Sequence, residues 1–482
     1  MTERLSPEQE RAVAATDPVA VVVACPGAGK TRVYVERILR SKHPEGLTCL
    51  SFTNAAADEI RARLERDGFP VNRLRYLGTL HSFCITEMSR LGTMPQILGD
   101  DAKDEAIADV VRVLGAPARN MSQKEMWSYA MAVPGFGAPK SVGAAIRAWF
   151  RNKSATHVDF ILPDFFRVIG KVTPPEELMV DETQDSGEDD WDIYRYFRDA
   201  GTRLFVVGDI RQSIYAFRRA VPELMIEEAM TGTEYNLSTN YRSGPNICAY
   251  ANKLAKLMWD GSFVPMVPAA NDAKDWVDDQ SHDSAEEEAL WAAERCAEAA
   301  EDHRSIAVIM RYNDQTRQVA SILRAKGLTL AASTDRELDA AAVPWLSRIM
   351  VNLGTGTDMP EDWQDYLTRM GVPFEQQRVM LPLLRRCRCV ADIAGCATDE
   401  PDTADAGCFV GTIHSAKGRE WEEVLVLGCD AATYHPNDSE SLRILYVAAT
   451  RARRRLTLSW ARSRVQPGSG RRITVEPSIY LP

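Results

Sequence analysis

The sequence predicts an α/β protein with parallel sheets covered by helices, and three observations carry that expectation. Short apolar runs recur along the chain, amphipathic stretches follow most of them, and a glycine-rich turn joins the first run to the first such stretch. The runs fall at 19–24 (VAVVVA), 47–52, 177–180, 204–207, 306–310, 408–413 and 424–427. Apolar residues filling whole runs of this length are expected of strands buried on both faces. A helix is expected over 55–66, where Ile60 and Leu64 are one turn apart. Two stretches break the alternation. Residues 88–160, with Trp127 and Trp149, read as a mostly helical insertion, and 343–405 as a second, reduced one.

Composition narrows the class. A chain of 482 residues with 45% apolar and 26% charged residues can bury several cores, which excludes a disordered polypeptide. No run approaches the ~20 apolar residues of a membrane span, and the alternating charge of MTERLSPEQER is unlike a secretory leader. The expected location is the cytoplasm. Ten cysteines without regular spacing read as reduced thiols rather than a disulfide frame. The closest set, Cys387, Cys389, Cys396 and Cys408, lacks the paired spacing usual for zinc or iron–sulfur. The net charge of −11 argues against a protein that simply coats nucleic acid, but its distribution is uneven. Residues 272–302 are strongly acidic, whereas 451–472 carry eight arginines and no carboxylate, either a solvated face or a track for a phosphate backbone.

The first run leads into VAVVVACPGAGKTRV (19–33), a phosphate-binding loop with Ala24 where the common pattern has glycine. Pro26, Gly27, Ala28 and Gly29 form the turn whose N–H groups face phosphate oxygens. Lys30 adds positive charge, and Thr31 offers a hydroxyl to Mg²⁺. At a strand end a methyl group at position 24 is tolerable provided the local φ is negative. LMVDETQD (178–185) supplies adjacent carboxylates after an apolar strand. Asp181 is placed to hold the metal and Glu182 to orient or deprotonate water.

With these, LSPEQ, SFTNAAADEIRARL, LGTLHSF, VVGDIRQSIYAFRRA, LSTNYRS, GTIHSAKGREWEEVLVLG and ILYVAATRAR occur in one order across residues 5–460. The series resembles that of the superfamily 1 DNA helicases of the UvrD/Rep/PcrA type. The resemblance implies two RecA-like P-loop motor domains, the first from 1–87 and 161–236 with 88–160 inserted, the second from 237–342 and 406–482 with 343–405 inserted. It also implies ATP and Mg²⁺ as cofactors. Gln9 would read the adenine edge, Arg32 lie beside the nucleotide, Tyr241 stack on the base and Glu420 touch the ribose. Gln212 would sense the γ-phosphate, with Arg242 and Arg451 reaching it from the second domain. Phe52, Asn54, His81, Tyr215, Phe217, Arg218 and His414 would line a single-stranded DNA channel, and Trp421 is read as core. Stacking on aromatic faces tolerates any base, which is what a stepping motor needs.

Two positions depart from the family pattern: Ala55 replaces a lysine and Arg219 a glycine. The insertions are also shorter than the family's, which places weight on translocation over duplex opening. The expected function is therefore an ATP-dependent, 3'-to-5' DNA translocase or helicase in repair, replication or phage-related DNA processing. The alternative is an accessory, DNA-stimulated ATPase beside a nuclease partner, as in Gabija-type defence.

Overall fold

The structure is a computed structural model of the chain. It describes residues 4–131, 140–216, 219–258, 264–270, 274–328, 330–331, 362–372, 408–436, 438–465 and 471–482, with single positions and pairs between 349 and 393. Two six-stranded sheets dominate it. The first contains β1 (Val19–Ala24), β2 (Leu47–Ser51), β3 (Tyr76–Thr79), β4 (Glu177–Val180), β5 (Arg203–Gly208) and β6 (Thr233–Leu237), ordered β3-β2-β4-β5-β1-β6. The second contains β7 (Trp276–His282), β8 (Ile306–Met310), β9 (Leu330–Ala331), β10 (Cys408–Thr412), β11 (Trp421–Val426) and β12 (Ala452–Ala461), ordered β7-β12-β11-β8-β10-β9. Every ladder in both sheets is parallel.

The parallel pattern follows from the sequence. Strands β2, β4, β8 and β10 are buried at every position, so β-branched and other apolar side chains face helices on both sides. The register pairs Val23 with Gly208, Val180 with Val206 and Leu50 with Val180. The C-terminal ends of β1, β2, β4 and β5 therefore open at one level, where ligands of such sheets gather. One buried cluster takes in Val22 and Ala24 of the first sheet together with Ile413, Val424, Leu445 and Tyr446 around the second. The two halves thus pack through shared apolar contacts.

Residues 96–160 have a core of their own. Helices Asp100–Leu114, Gln123–Met131 and Lys140–Asn152 pack around Ile107, Trp127, Ile146, Phe150 and Phe160. A short parallel pair, Gln96–Leu98 with Ala155–His157, closes that unit at its base. Much of 343–405, including Cys387, Cys389 and Cys396, lies outside the described residues. Ile349, Trp363, Leu367 and Val372 join the apolar cluster that contains Phe83, Phe165 and Trp191. Cys408 is buried in β10, with a hydrogen bond to Cys296 and burial both pushing its thiol pKa up. No group of three or more His, Cys, Asp or Glu suited to a metal occurs among the described residues. No described helix is long and apolar enough to cross a membrane.

Candidate nucleotide cleft and aromatic track

The turn after β1 has the backbone a phosphate loop needs. Gly27 and Gly29 hold φ of +71° and +81°, which glycine adopts without a Cβ clash, and Gly29 caps helix α1 (Lys30–Leu39). Ala24 is the last residue of β1, fully buried, and is not among the described residues with positive φ. Its methyl group therefore imposes no strain on the loop.

Both glycines are also packed tightly. A Cβ on Gly27 would lie 2.7 Å from Cβ of Arg242, and one on Gly29 would lie 2.7 Å from Nε2 of Gln9. Gln9 is buried against the loop. Its Oε1 accepts from the Ser6 N–H at 3.0 Å and its Nε2 donates to the Ala28 carbonyl at 2.9 Å. Part of its amide is thus committed to shaping the loop. Pro26 and Ala28 are buried, while Thr31 and Arg32 are half-buried on the first turn of α1.

Across the cleft, Asp181 and Glu182 follow β4. Asp181 is buried and accepts the Glu182 N–H at 2.9 Å. Glu182 has φ +52°, an uncommon backbone for a residue with a Cβ, held here by neighbouring contacts. Nζ of Lys30 lies 3.2 Å from the Glu182 carboxylate. Burial and the adjacent Glu182 charge push the Asp181 pKa well above the carboxylate range. Burial acts the same way on Glu182, but Lys30 and Lys417 hold it below. Two carboxylates with one charge disfavoured make a donor set short of a cation. Together with the hydroxyl of Thr31, these hard oxygens suit a divalent ion of the Mg²⁺ type, which keeps waters and phosphates as its remaining ligands.

Two arginines reach the same place, Arg242 on the segment after β6 and Arg451 from the corner before β12 of the second sheet. Because β6 pairs with β1, the segment after it returns to the loop, and the Tyr241 N–H donates to the Gly27 carbonyl at 2.9 Å. The Tyr241 side chain remains 52% exposed. Arg242 pairs with Glu420 and donates to the Thr450 carbonyl at 3.1 Å. Arg451 is buried between helix Ser439–Ala449 and β12, donating to the Val447 carbonyl at 2.9 Å and to Oε1 of Gln212 at 2.9 Å. Gln212 in turn donates to Asp209 at 2.8 Å. Burial and the like charge of Arg242 pull the Arg451 pKa down, so an anion would relieve this corner.

Beside the cleft the structure gathers aromatic rings. Phe52 and Tyr215 stack with centroids 5.2 Å apart, and His414 lies 6.0 Å from Tyr215. His414 Nε2 is also 3.1 Å from the Ile214 carbonyl, linking the halves. Asn54 opens helix Asn54–Arg66, capped by Thr53. His81 sits on the first turn of helix Leu80–Arg90, with burial lowering its pKa. Phe217 and Arg218 lie outside the described residues. Trp421 stacks on Phe409 at 4.8 Å, partly buried against the core. Arg219 holds φ +65°, a backbone that glycine adopts more readily.

Two features were not visible in the sequence. Lys417 pairs with the buried Asp185, 232 residues away, a contact that neither VDETQD nor SAKGRE shows by itself. Several arginines of the basic stretch 451–472 pair with carboxylates, Arg464 in a buried pair and Arg453, Arg462 and Arg472 at the solvent-exposed surface. Arg453, Arg462, Arg464 and Arg472 pair with Glu420, Asp283, Asp430 and Glu286, and Arg455 lies over Trp276.

A phosphate loop after β1, an acidic pair after β4 of the same sheet, and two arginines, Arg242 from the segment after β6 and Arg451 from the corner before β12 of the second sheet, define a P-loop NTPase with RecA-like motor domains. The sequence matches the UvrD/REP helicase N-terminal domain over residues 5–115 and 174–231, and the UvrD-like helicase C-terminal domain over 407–459. The chain is a UvrD-like, ATP-using helicase. It is 25% identical to ATP-dependent DNA helicase UvrD2 of Mycobacterium tuberculosis, over 99% of this chain and 81% of that protein. It is 23% identical to Gabija protein GajB of Bacillus cereus, over 90% of this chain and 92% of GajB. Similarity to ATP-dependent DNA helicase PcrA of Staphylococcus epidermidis, at 24%, covers 53% of this chain and 40% of PcrA.

Proposed function

We propose that the chain is a cytoplasmic motor that couples ATP hydrolysis to 3'-to-5' movement along single-stranded DNA, in repair, replication or phage-related DNA processing. Its two motor domains are 1–87 with 161–236 and 237–342 with 406–482. The observation that supports this most is continuity. Gln212, bonded to Arg451 across the cleft, is three residues from Tyr215, whose ring stacks on Phe52. A change at the nucleotide is thereby felt at the DNA track.

In this reading the loop 26–31 and Lys30 bind the phosphates, while Arg32, Tyr241, Gln9 and Glu420 surround the nucleoside. Thr31 and Asp181 would hold a Mg²⁺ ion, whose charge would neutralise that of the phosphate oxygens. Glu182 orients or deprotonates the attacking water, and Arg242 and Arg451 stabilise charge on the transferring phosphoryl group. The arginines belong to the second domain, so hydrolysis requires a closed cleft, and closure moves one DNA grip relative to the other. Phe52, Asn54, His81, Tyr215, Phe217, Arg218 and His414 form the grip. Lys30→Ala and Glu182→Gln should each abolish ATP turnover while leaving the far-ultraviolet circular dichroism unchanged. Turnover retained by both variants would overturn these assignments.

A second reading is favoured by the likeness to GajB, which extends over nearly the full length of both chains. Here the chain is the ATPase subunit of a larger assembly with a nuclease. Size measurement of the purified chain, alone and mixed with the products of neighbouring genes, separates the two: a partner-dependent shift in mass supports the subunit.

A further inference from the structure

We infer that Lys417 is a positioning residue that ties the nucleotide cleft to the aromatic track, holding the Asp185 loop of the first sheet against the second. The inference rests on the motor reading above and names how its two sites communicate. Lys417 lies in the turn after β10, and among the described residues its ammonium makes three contacts with the other half. It pairs with the Asp185 carboxylate, donates to the Gln212 carbonyl at 2.9 Å, and sits 4.8 Å from the centroid of the Tyr215 ring.

Each contact leads to a different part of the machinery. Asp185 is three residues beyond Glu182, and the buried amide of Gln184 donates to both carboxylates. The Gln212 side chain accepts from Arg451. The Tyr215 ring stacks on Phe52. One charge therefore touches the loop of the proposed water-activating carboxylate, the backbone of the proposed γ-phosphate sensor and the face of a proposed base-stacking ring.

Burial makes this contact conditional on domain arrangement. Asp185 is 3% exposed, and its Oδ1 has no hydrogen-bond partner among the described residues. Its charge depends on Lys417, as the upward push of burial on its pKa, opposed chiefly by Lys417, also shows. A buried carboxylate deprived of its cation is strongly disfavoured, so the pair favours the arrangement of halves in which it forms. A base stacking on Tyr215 alters the cation–π contact of Lys417, and the ammonium transmits that change to Asp185, Gln184 and Glu182. Lys417 thus acts on the response of hydrolysis to DNA, not on ATP capture.

The test uses the full chain, with ATP turnover measured at zero and saturating oligothymidylate for the wild type, Lys417→Met, Asp185→Asn and the double variant. Each single change should reduce the DNA-stimulated kcat by about tenfold, the order typical of coupling between sites, with KM for ATP altered by less than about twofold. The double variant should match the singles, because both remove one interaction. Thermal unfolding reports whether each variant is folded; if Lys417→Met is not, Asp185→Asn, which keeps the side-chain shape, carries the test. Full stimulation in Asp185→Asn, or a double variant whose loss is the product of the single losses, overturns the role of Lys417. A wild type that oligothymidylate does not stimulate overturns instead the motor reading on which it rests.

Discussion

Nη2 of Arg451 donates to Oε1 of Gln212 at 2.9 Å, joining the corner before β12 in the second sheet to the turn after β5 in the first. The guanidinium is buried, and Arg242 is its like-charged neighbour. A planar guanidinium that donates to the Gln212 amide and, in the proposed reaction, to a phosphoryl group is not replaced by an ammonium. Arg451→Lys should therefore lower the DNA-stimulated kcat by roughly 10³-fold, within the range known for arginines that complete a phosphoryl-transfer site, with a much smaller change in KM. Steady-state ATP turnover checks this; a change confined to KM would count against it.

The loop glycines and Ala24 should respond differently to substitution. Gly27→Ala forces a Cβ to 2.7 Å from Cβ of Arg242 at φ +71°, so either the loop or the Arg242 segment must move. Strain of this kind costs on the order of 1–3 kcal/mol, and nucleotide affinity should fall by about tenfold or more. Ala24→Gly meets no such conflict; it should cost roughly 0.5–1 kcal/mol of stability through backbone entropy, with nucleotide affinity nearly unchanged. Titration with a fluorescent ATP analogue and urea unfolding distinguish the two. Equal losses of affinity would show that position 24 matters to the loop after all.

The unit formed by residues 96–160 should weaken as pH rises. His157 is buried 3.4 Å from both Asp100 and Asp159, with Trp127 edge-on at 4.9 Å. Burial favours its neutral form, but hydrogen bonds to the two aspartates prevail and raise its pKa above the ordinary histidine value. A histidine whose pKa is raised on folding contributes stability that is complete below its unfolded value and disappears as pH climbs through the folded one. Urea unfolding at pH 6 and pH 8.5 should show a larger loss for the wild type than for His157→Gln. Equal losses would mean that the ion pairs contribute nothing net.

Much of the fold was legible because strands buried on both faces leave continuous apolar runs. The runs at 19–24, 177–180 and 306–310 match the strands in full, and 47–52 and 204–207 differ by one residue or two. The unread strands are those lacking such a run. In β6, TEYNL lies at the sheet edge with only Leu237 buried, and β7, WVDDQSH, is a largely exposed edge. In β12, ARRRLTLSWA hides an interior strand behind an arginine run of which Arg453 meets Glu420 and Arg455 the Trp276 ring only after folding. The phosphate loop and acidic pair could be read locally because their chemistry lies within a few residues of a strand end. The link from Lys417 to Asp185 could not, because neither segment shows that the other will bury it.

The measurement closest to the central claim is ATP turnover by the purified wild-type chain with Mg²⁺, in the absence and presence of single-stranded DNA. Arginines delivered from a second domain, and a sensor three residues from a stacking ring, predict a low rate without DNA and at least a roughly tenfold rise at saturation. The half-saturating DNA concentration should increase with salt, in log–log proportion to the number of phosphates neutralised. A rate that single-stranded DNA leaves unchanged would contradict the account.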